Sequence, residues 1–464
     1  MRLVGALHIQ GFFMKITFCG ATERVTGSNF LVDTGEIKFL VDCGIFQGAF
    51  EDTKENWNDF PYDPKEIDFV LITHSHLDHI GRLPILYKKG FTGKVFSTPP
   101  TKDFCSIFLR DNYNIMMEFA QNNGLELLYD EQDIENVVSL FETYDYYKEF
   151  SPIDGVQIKF FDAGHILGSA IIQIVLDGKT LVFSGDLGNP PVPILRDTDF
   201  IEKADYLIME STYGNKIHAP FEDRRLKLER VIEESAAKGG ALLIPAFAME
   251  RTQELVYEIN ELIASSKISK IPVYIDSPLA LKATEIYKKY PKYFDSEALQ
   301  LLKKGEDFFN FPELKFINSI EESKEIDQDS SNKIIIAGAG MSTGGRIIYH
   351  EKRYLPEPST VLLLVSFQVK GTLGRKLAEH AKEVEIKGER VPVNAQIEII
   401  DSYSAHADQA RLKYWISKFL SKPKKIFLVH GEPESSDALL HIIEDEEGIE
   451  TVIPKFKETI NLSN

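Results

Sequence analysis

Thr73-His74-Ser75-His76-Leu77-Asp78-His79 places three imidazoles and a carboxylate within six residues. Such a group makes poor core and an expensive surface. It follows the apolar run Ile67–Ile72, which reads as a buried strand, and it precedes the helix-like Ile80–Lys88. His and Asp are both good donors for Zn2+. His74 and His76 stand two apart at a strand end, so in extended geometry both point to one side. Asp78 and His79 enter the next helical turn and point elsewhere. One segment can therefore feed two adjacent metals. A hydrogen-bonded loop with unrelated histidines is the competing reading, and the crowding of donors tells against it. Four ligands are too few for two ions, so further donors are expected at other strand ends. His165 lies in Asp162-Ala163-Gly164-His165-Ile166-Leu167-Gly168-Ser169, just past the strand Val156–Phe161. Asp186 lies in Ser184-Gly185-Asp186-Leu187-Gly188, just past Thr180–Phe183. Flanking glycines permit the tight backbone that a loop ligand needs.

Outward from this segment, the first half reads as strands. Lys15–Cys19, Asn29–Thr34 and Ile37–Asp42 are short apolar or alternating runs, as in an antiparallel meander. Helical periodicity appears over Gly81–Lys89 and Asp103–Asn122. Val156–Phe161, Ala170–Leu176 and Thr180–Ser184 return to strands. After Asp205–Met209 the pattern alternates between helix and strand up to the strand Val361–Ser366, which implies an α/β block with a parallel sheet. Within it the polar, acidic Ile320–Ser331 reads as a surface loop. From Gln396 the chain resumes strand, helix and strand. One domain inserted into another accounts for this order.

The chain has 464 residues, 43% hydrophobic and 27% charged. That composition excludes a disordered chain, a collagen-like fibre and a coiled coil. No apolar run approaches the roughly 20 residues of a membrane helix, so no membrane partner is expected. Met1–Phe13 makes a poor secretory signal, Met14 stands as an alternative start, and no function is assigned to residues 1–13. Three cysteines, Cys19, Cys43 and Cys105, cannot build a disulfide framework, which implies a reducing, cytoplasmic compartment. The net charge is −19 and the pI about 5.1. This argues against nucleic-acid binding over the whole surface, but it leaves room for a local basic or metal-filled cleft.

The run His-x-His-x-Asp-His, followed by an isolated His and an isolated Asp in glycine-rich turns, resembles the metallo-β-lactamase superfamily. Asp42, in Val41-Asp42-Cys43-Gly44, matches that family's first motif, a carboxylate that orients a ligand. The resemblance implies an α/β fold, an αβ/βα sandwich with metals between the sheet edges. It also implies two Zn2+ ions, with Mn2+ as a substitute in the isolated protein. His74, His76 and His165 would hold one, Asp78 and His79 the other, and Asp186 would bridge.

Three further motifs resemble the β-CASP nuclease branch. They are Glu210 in Leu207-Ile208-Met209-Glu210-Ser211-Thr212-Tyr213-Gly214, His406 in Ser402-Tyr403-Ser404-Ala405-His406-Ala407-Asp408, and His430 in Phe427-Leu428-Val429-His430-Gly431-Glu432. The likeness spans nearly the whole chain, including Gly338-Ala339-Gly340-Met341-Ser342-Thr343-Gly344-Gly345-Arg346 and Gly371-Thr372-Leu373-Gly374-Arg375. It implies a metallo-β-lactamase domain in two parts, 1–213 and 396–464, around an inserted β-CASP domain, 214–395. In the family, RNA-directed members carry His at the last motif. His430 therefore favours RNA over DNA and would complete the second zinc site.

The expected reaction is hydrolysis of single-stranded RNA, mainly internal, leaving a 5′-phosphate and a 3′-hydroxyl. Two zinc ions roughly 3.5–4 Å apart would share the attacking hydroxide and clamp an in-line displacement. His406 is the expected general acid, with Glu210 orienting it. The expected catalytic set is Asp78, Asp186, Glu210 and His406. Arg251, Ser342, Arg346, Lys370 and Arg375 are candidates for RNA phosphate binding, against the alternative of ordinary ion pairs and turns. Family analogy allows a homodimer. Two other readings compete: a small-molecule hydrolase of the same superfamily, which would not require Glu210 and His406, and a non-catalytic RNA-binding scaffold, which would have lost metal ligands.

Overall fold

The computed structural model describes residues 14–462 apart from 330, 367 and 370. Among the described residues, two seven-stranded sheets form the larger body. One runs in the order Thr459–Asn461, Lys15–Phe18, Phe30–Asp33, Lys38–Val41, Phe69–Leu71, Lys94–Ser97 and Phe141–Thr143. The other runs Glu450–Val452, Lys425–Val429, Tyr206–Glu210, Lys179–Phe183, Ala170–Leu176, Val156–Asp162 and Glu149–Phe150. The chain's end thus pairs with its beginning, since Thr459–Asn461 runs antiparallel to Lys15–Thr17.

Period-2 patterning explains why the sheets stack. In Val156–Asp162 every second residue is buried, and Ile158 and Phe160 face the shared core. Aromatic rings cross between the sheets: Phe18 lies 5.4 Å from Phe427, and Phe30 lies 5.9 Å from Phe183. Each such ring contributes about 1.5–3 kcal/mol by leaving water. Strands such as Phe69–Leu71 and Tyr206–Glu210 are buried throughout because helices cover the outer faces. Leu109 and Ile134 pack outside one sheet, and Leu412, Trp415 and Leu439 outside the other. The result is the expected αβ/βα sandwich.

The inserted block has a six-stranded sheet, parallel throughout, in the order Leu314–Phe316, Val273–Asp276, Lys333–Ala337, Ala241–Pro245, Val361–Leu364 and Gln396–Ile399. Its last strand, Gln396–Ile399, pairs in parallel with Val361–Leu364. The segment expected as a loop over Ile320–Ser331 holds a helix, Ile320–Glu325, and a helical turn, Ile326–Gln328. Ser319 caps it by accepting the Glu322 N–H at 3.1 Å, and Ile326 supplies a buried anchor. Polarity had hidden that single apolar contact. Among the described residues, no helix is long and apolar enough to cross a membrane.

Candidate metal centre and its acid–base pair

The His74–His79 segment leaves the strand Phe69–Leu71 in extended form and turns into a short helix, Leu77–Ile80. Neighbouring loops hold it closely. The Asp78 carbonyl accepts the Ser28 N–H at 2.8 Å, and the His79 carbonyl accepts the Cys43 N–H at 2.7 Å. A Cβ on Gly44 would stand 1.6 Å from the Asp78 carbonyl oxygen, so only glycine allows this approach.

Among the described residues, three donor groups emerge: His74, His76, His165 and Asp186; Asp78, His79 and His430; and Asp186, Glu210, His406 and His430. In the first, His76 Nδ1 lies 3.0 Å from His74 Nε2 and 3.2 Å from His165 Nε2. Asp186 Oδ2 lies 3.3 Å from His74 Nε2, 3.6 Å from His165 Nε2 and 3.4 Å from His79 Nε2. On the other side, His430 Nε2 lies 3.2 Å from Asp78 Oδ2, and His430 Nδ1 lies 3.7 Å from Asp186 Oδ1. Asp186 therefore touches both halves of the cluster.

The far nitrogen of each ring explains which atom faces inward. Thr73 Oγ1 donates to Asp42 Oδ2 at 2.8 Å, which leaves the Thr73 hydroxyl oxygen to accept from His74 Nδ1 at 3.1 Å. His79 Nδ1 meets Asp42 Oδ2 at 2.7 Å. His165 Nδ1 meets the Ala405 carbonyl at 3.3 Å. Thr212 Oγ1 donates to the His430 carbonyl and accepts from His430 Nδ1 at 3.1 Å. The Nε2 lone pairs of His74, His79, His165 and His430 thus face the centre. Asp42 and His430 both adopt left-handed backbone, with φ of 60° and 50°, a conformation that Asp and His tolerate better than most residues.

Electrostatics agree with a cation site. Burial pushes His74 down to about 4 and His76 down to about 3, each helped by a neighbouring imidazole. His165 falls well below its usual range, through burial and then His406. These rings are neutral at pH 7, as ligation requires. Burial alone would raise Asp186 and Asp78. For Asp186, His430, His79 and His74 outweigh it; for Asp78, His79 and His430 do, so both carboxylates sit low. Burial raises Asp42, against the pull of His79. Asp186 Oδ1 is buried with no hydrogen-bond partner. Burial would lower His79 as well, but Asp186, Asp42 and Asp78 push it well above its usual range, so this ring meets a concentrated negative charge. Neutral His74, His76 and His165 beside that charge and an unsatisfied carboxylate oxygen fit a divalent metal.

At the open side, His406 Nδ1 lies 3.1 Å from Glu210 Oε2 and 3.9 Å from Asp186 Oδ2. Glu210 is buried and also accepts the Leu187 N–H. The His406 side chain remains 23% exposed, whereas those of His74 and His165 are fully buried. Burial would lower His406, but Glu210 and Asp186 raise it to about 9. Met249 from the inserted block reaches the metal segment, its Sδ accepting from Ser75 Oγ at 3.6 Å.

All ten expected residues of the centre, Asp42 included, meet in this one place. The four described RNA-binding candidates do not join them. Arg251 is buried against Glu250 and Glu254, so its guanidinium is enclosed within the protein. Ser342 donates to the buried Glu351. Arg346 pairs with Asp276 at 2.5 Å, and Arg375 with Glu379 at 2.7 Å. Lys370 lies outside the described residues. Sequence reasoning gave no role to Thr73 or Thr212. The signal available was position, since Thr73 stands beside His74 and Thr212 two residues after Glu210 in a quoted motif.

The Asp42 contact yields a prediction. Asp42→Asn is expected to weaken metal affinity by about 10–100-fold, because His79 loses the carboxylate that orients it. Competition with a chromogenic chelator measures this; unchanged affinity would show that Asp42 orients nothing.

Three family models match the chain: a metallo-beta-lactamase superfamily domain over residues 31–209, a Beta-Casp domain over 252–377, and a Zn-dependent metallo-hydrolase RNA specificity domain over 390–454. The chain is 35% identical over 426 residues to Ribonuclease TTHA0252 of Thermus thermophilus, covering 92% of this chain and 95% of that one. It is 33% identical over 425 residues to an RNase J-like protein of Methanocaldococcus jannaschii, covering 90% and 92%. It is 32% identical over 471 residues to the transcription termination factor FttA of Pyrococcus abyssi, covering 97% and 72%. A crystal structure of a protein of unknown function from Enterococcus faecalis superposes with a TM-score of 0.58 at 13% identity, over 97% of this chain and 100% of that one; this likeness concerns the fold alone.

Proposed function

Since this chain belongs to the β-CASP family of the metallo-β-lactamase superfamily and is a metal-dependent ribonuclease, we propose that it hydrolyses single-stranded RNA internally, leaving a 5′-phosphate and a 3′-hydroxyl. The observation that carries this reading is the position of Asp186. Its Oδ2 lies 3.3 Å from His74 Nε2 and 3.4 Å from His79 Nε2, its Oδ1 lies 3.7 Å from His430 Nδ1, and it borders the Glu210–His406 pair. His74, His76, His165 and Asp186 would hold one Zn2+; Asp78, His79, Asp186 and His430 would hold a second. Mn2+ suits the same nitrogen and oxygen donors in part. Bound ions supply Lewis-acid charge and activate water for attack on phosphorus.

The remaining roles belong to the chain. Glu210 holds His406 Nδ1, which leaves Nε2 facing the open side. From there Nε2 delivers a proton to the departing 3′ oxygen as the P–O bond breaks. Burial of Glu210 keeps water from competing for that imidazole. A protein nucleophile is not required, nor is the 2′-hydroxyl.

Circular RNA tests the internal mode. Linearised circles, with 5′-phosphate ends, are the expected product, together with cleavage that a chelator stops. Intact circles beside degraded linear RNA would replace this reading with end-dependent attack. RNA binding is also expected to weaken steeply with salt, through contacts to several phosphates. A flat log–log plot of affinity against salt would contradict binding through the phosphates.

A further inference from the structure

His406 sits on a strap that crosses from the inserted domain to the metal-bearing domain. At its start, the Ile400 N–H donates to the Leu364 carbonyl at 2.9 Å, an extension of the inserted sheet. At its end, the Ala407 N–H donates to the Leu187 carbonyl at 2.8 Å, and His406 bridges to Gly188 in the metal-bearing domain. Between these points Tyr403 turns the other way. It is fully buried, and its hydroxyl donates to Glu258 Oε2, on the helix Arg251–Ala264. Arg224, on the helix Phe221–Lys238, donates to Glu258 Oε1 at 2.8 Å. The Arg224 and Arg251 guanidiniums lie 4.5 Å and 5.0 Å from the Tyr403 ring centre. Arg251 is tied in turn to Glu250 and Glu254.

A buried ion network is a poor way to gain stability, because desolvation offsets most of the attraction. Its strength is geometry: guanidinium, carboxylate and phenol each accept only narrow orientations. Apolar side chains would fill the same space without fixing the strap. We propose that the Arg224–Glu258–Tyr403 network, flanked by Arg251, positions His406 against the leaving oxygen from the inserted domain, while Glu210 holds it from the other side. This rests on the reading of His406 as general acid. It also assigns Arg251 a place in the protein's interior, in positioning and not in RNA binding. The Arg224–Glu258–Tyr403 contacts are made away from the metal donors, although the same strap carries Ala405, whose carbonyl meets His165 Nδ1 at 3.3 Å; loss of one hydroxyl from the network should therefore misplace the acid with metal still bound.

The test compares two leaving groups. In RNA, the 3′ alkoxide needs a proton as it departs. In uridine 5′-(p-nitrophenyl phosphate), nitrophenolate departs as a stable anion and needs none. Tyr403→Phe keeps the ring and removes the hydroxyl. It is expected to lower kcat on an oligoribonucleotide by about 10-fold, the scale on which a displaced catalytic group acts, with KM and bound metal unchanged. Turnover of the nitrophenyl ester should stay at the wild-type rate. Glu258→Gln is expected to give the same pattern, and it carries the test if Tyr403→Phe folds poorly. Equal losses on both substrates, or none on either, would overturn the proposal. His406→Ala run alongside separates the two levels. If it also fails to discriminate between the substrates, the acid assignment fails; if it discriminates and Tyr403→Phe does not, only the positioning role fails.

Discussion

Asp186→Ala is expected to lower RNA cleavage by more than about 10³-fold, beyond the loss from removing a single transition-state donor, and to lower bound metal in the same protein. The reason is its double contact. Oδ2 stands 3.3 Å from His74 Nε2 and 3.4 Å from His79 Nε2, on opposite halves of the cluster, and Oδ1 faces His430 at 3.7 Å. It also contributes to two of the three donor groups. Removing it leaves imidazoles crowded together without the anion that offsets a cation's charge. Asp186→Asn keeps the volume and one oxygen while removing the charge, so it separates loss of ligation from loss of packing. Its expected metal content lies between those of wild type and Asp186→Ala. Elemental analysis of zinc per chain, set beside single-turnover cleavage, gives the result. Full activity with two metals retained in Asp186→Ala would contradict the bridging role.

What could be read without coordinates follows from the physics of each feature. The donors were legible because histidines and carboxylates at strand ends serve few purposes besides binding. The sandwich was legible because period-2 runs such as Val156–Asp162 must bury one face. The phosphate-binding candidates are harder to read, because burial and ion pairing, whether with near or distant residues, are not visible in a sequence. Arg251 resembles a free cation in a chain of letters, but Glu250 and Glu254 enclose it. Arg346 is held by Asp276, 70 residues away, and Ser342 by Glu351. The network around Tyr403 joins residues 145 apart, and no local pattern announces it. The strand Gln396–Ile399 was read correctly as a strand, but pairing with Val361–Leu364 is a property of register and not of composition.

The second large effect belongs to His406→Ala. Removing a general acid typically costs about 10²–10⁴-fold when the leaving group is a poor one, and an RNA 3′ alkoxide is such a group. Metal content should not change. His74, His79, His165 and His430 keep the hydrogen bonds at their far nitrogens when this ring is removed; what is lost is one imidazole beside His165 and one 3.9 Å from Asp186 Oδ2. Glu210→Gln should fall less far than His406→Ala. The glutamine can still meet Nδ1, but it no longer favours the imidazolium, and the Leu187 N–H contact survives through its amide oxygen. The order of loss therefore carries the assignment: His406→Ala largest, Glu210→Gln intermediate, both with metal retained. If Glu210→Gln lost more than His406→Ala, or if His406→Ala lost metal in proportion to activity, His406 would be acting as a ligand and not as the proton donor. The third donor group, which holds Asp186, His406 and His430 within reach of one ion, states that rival in structural terms.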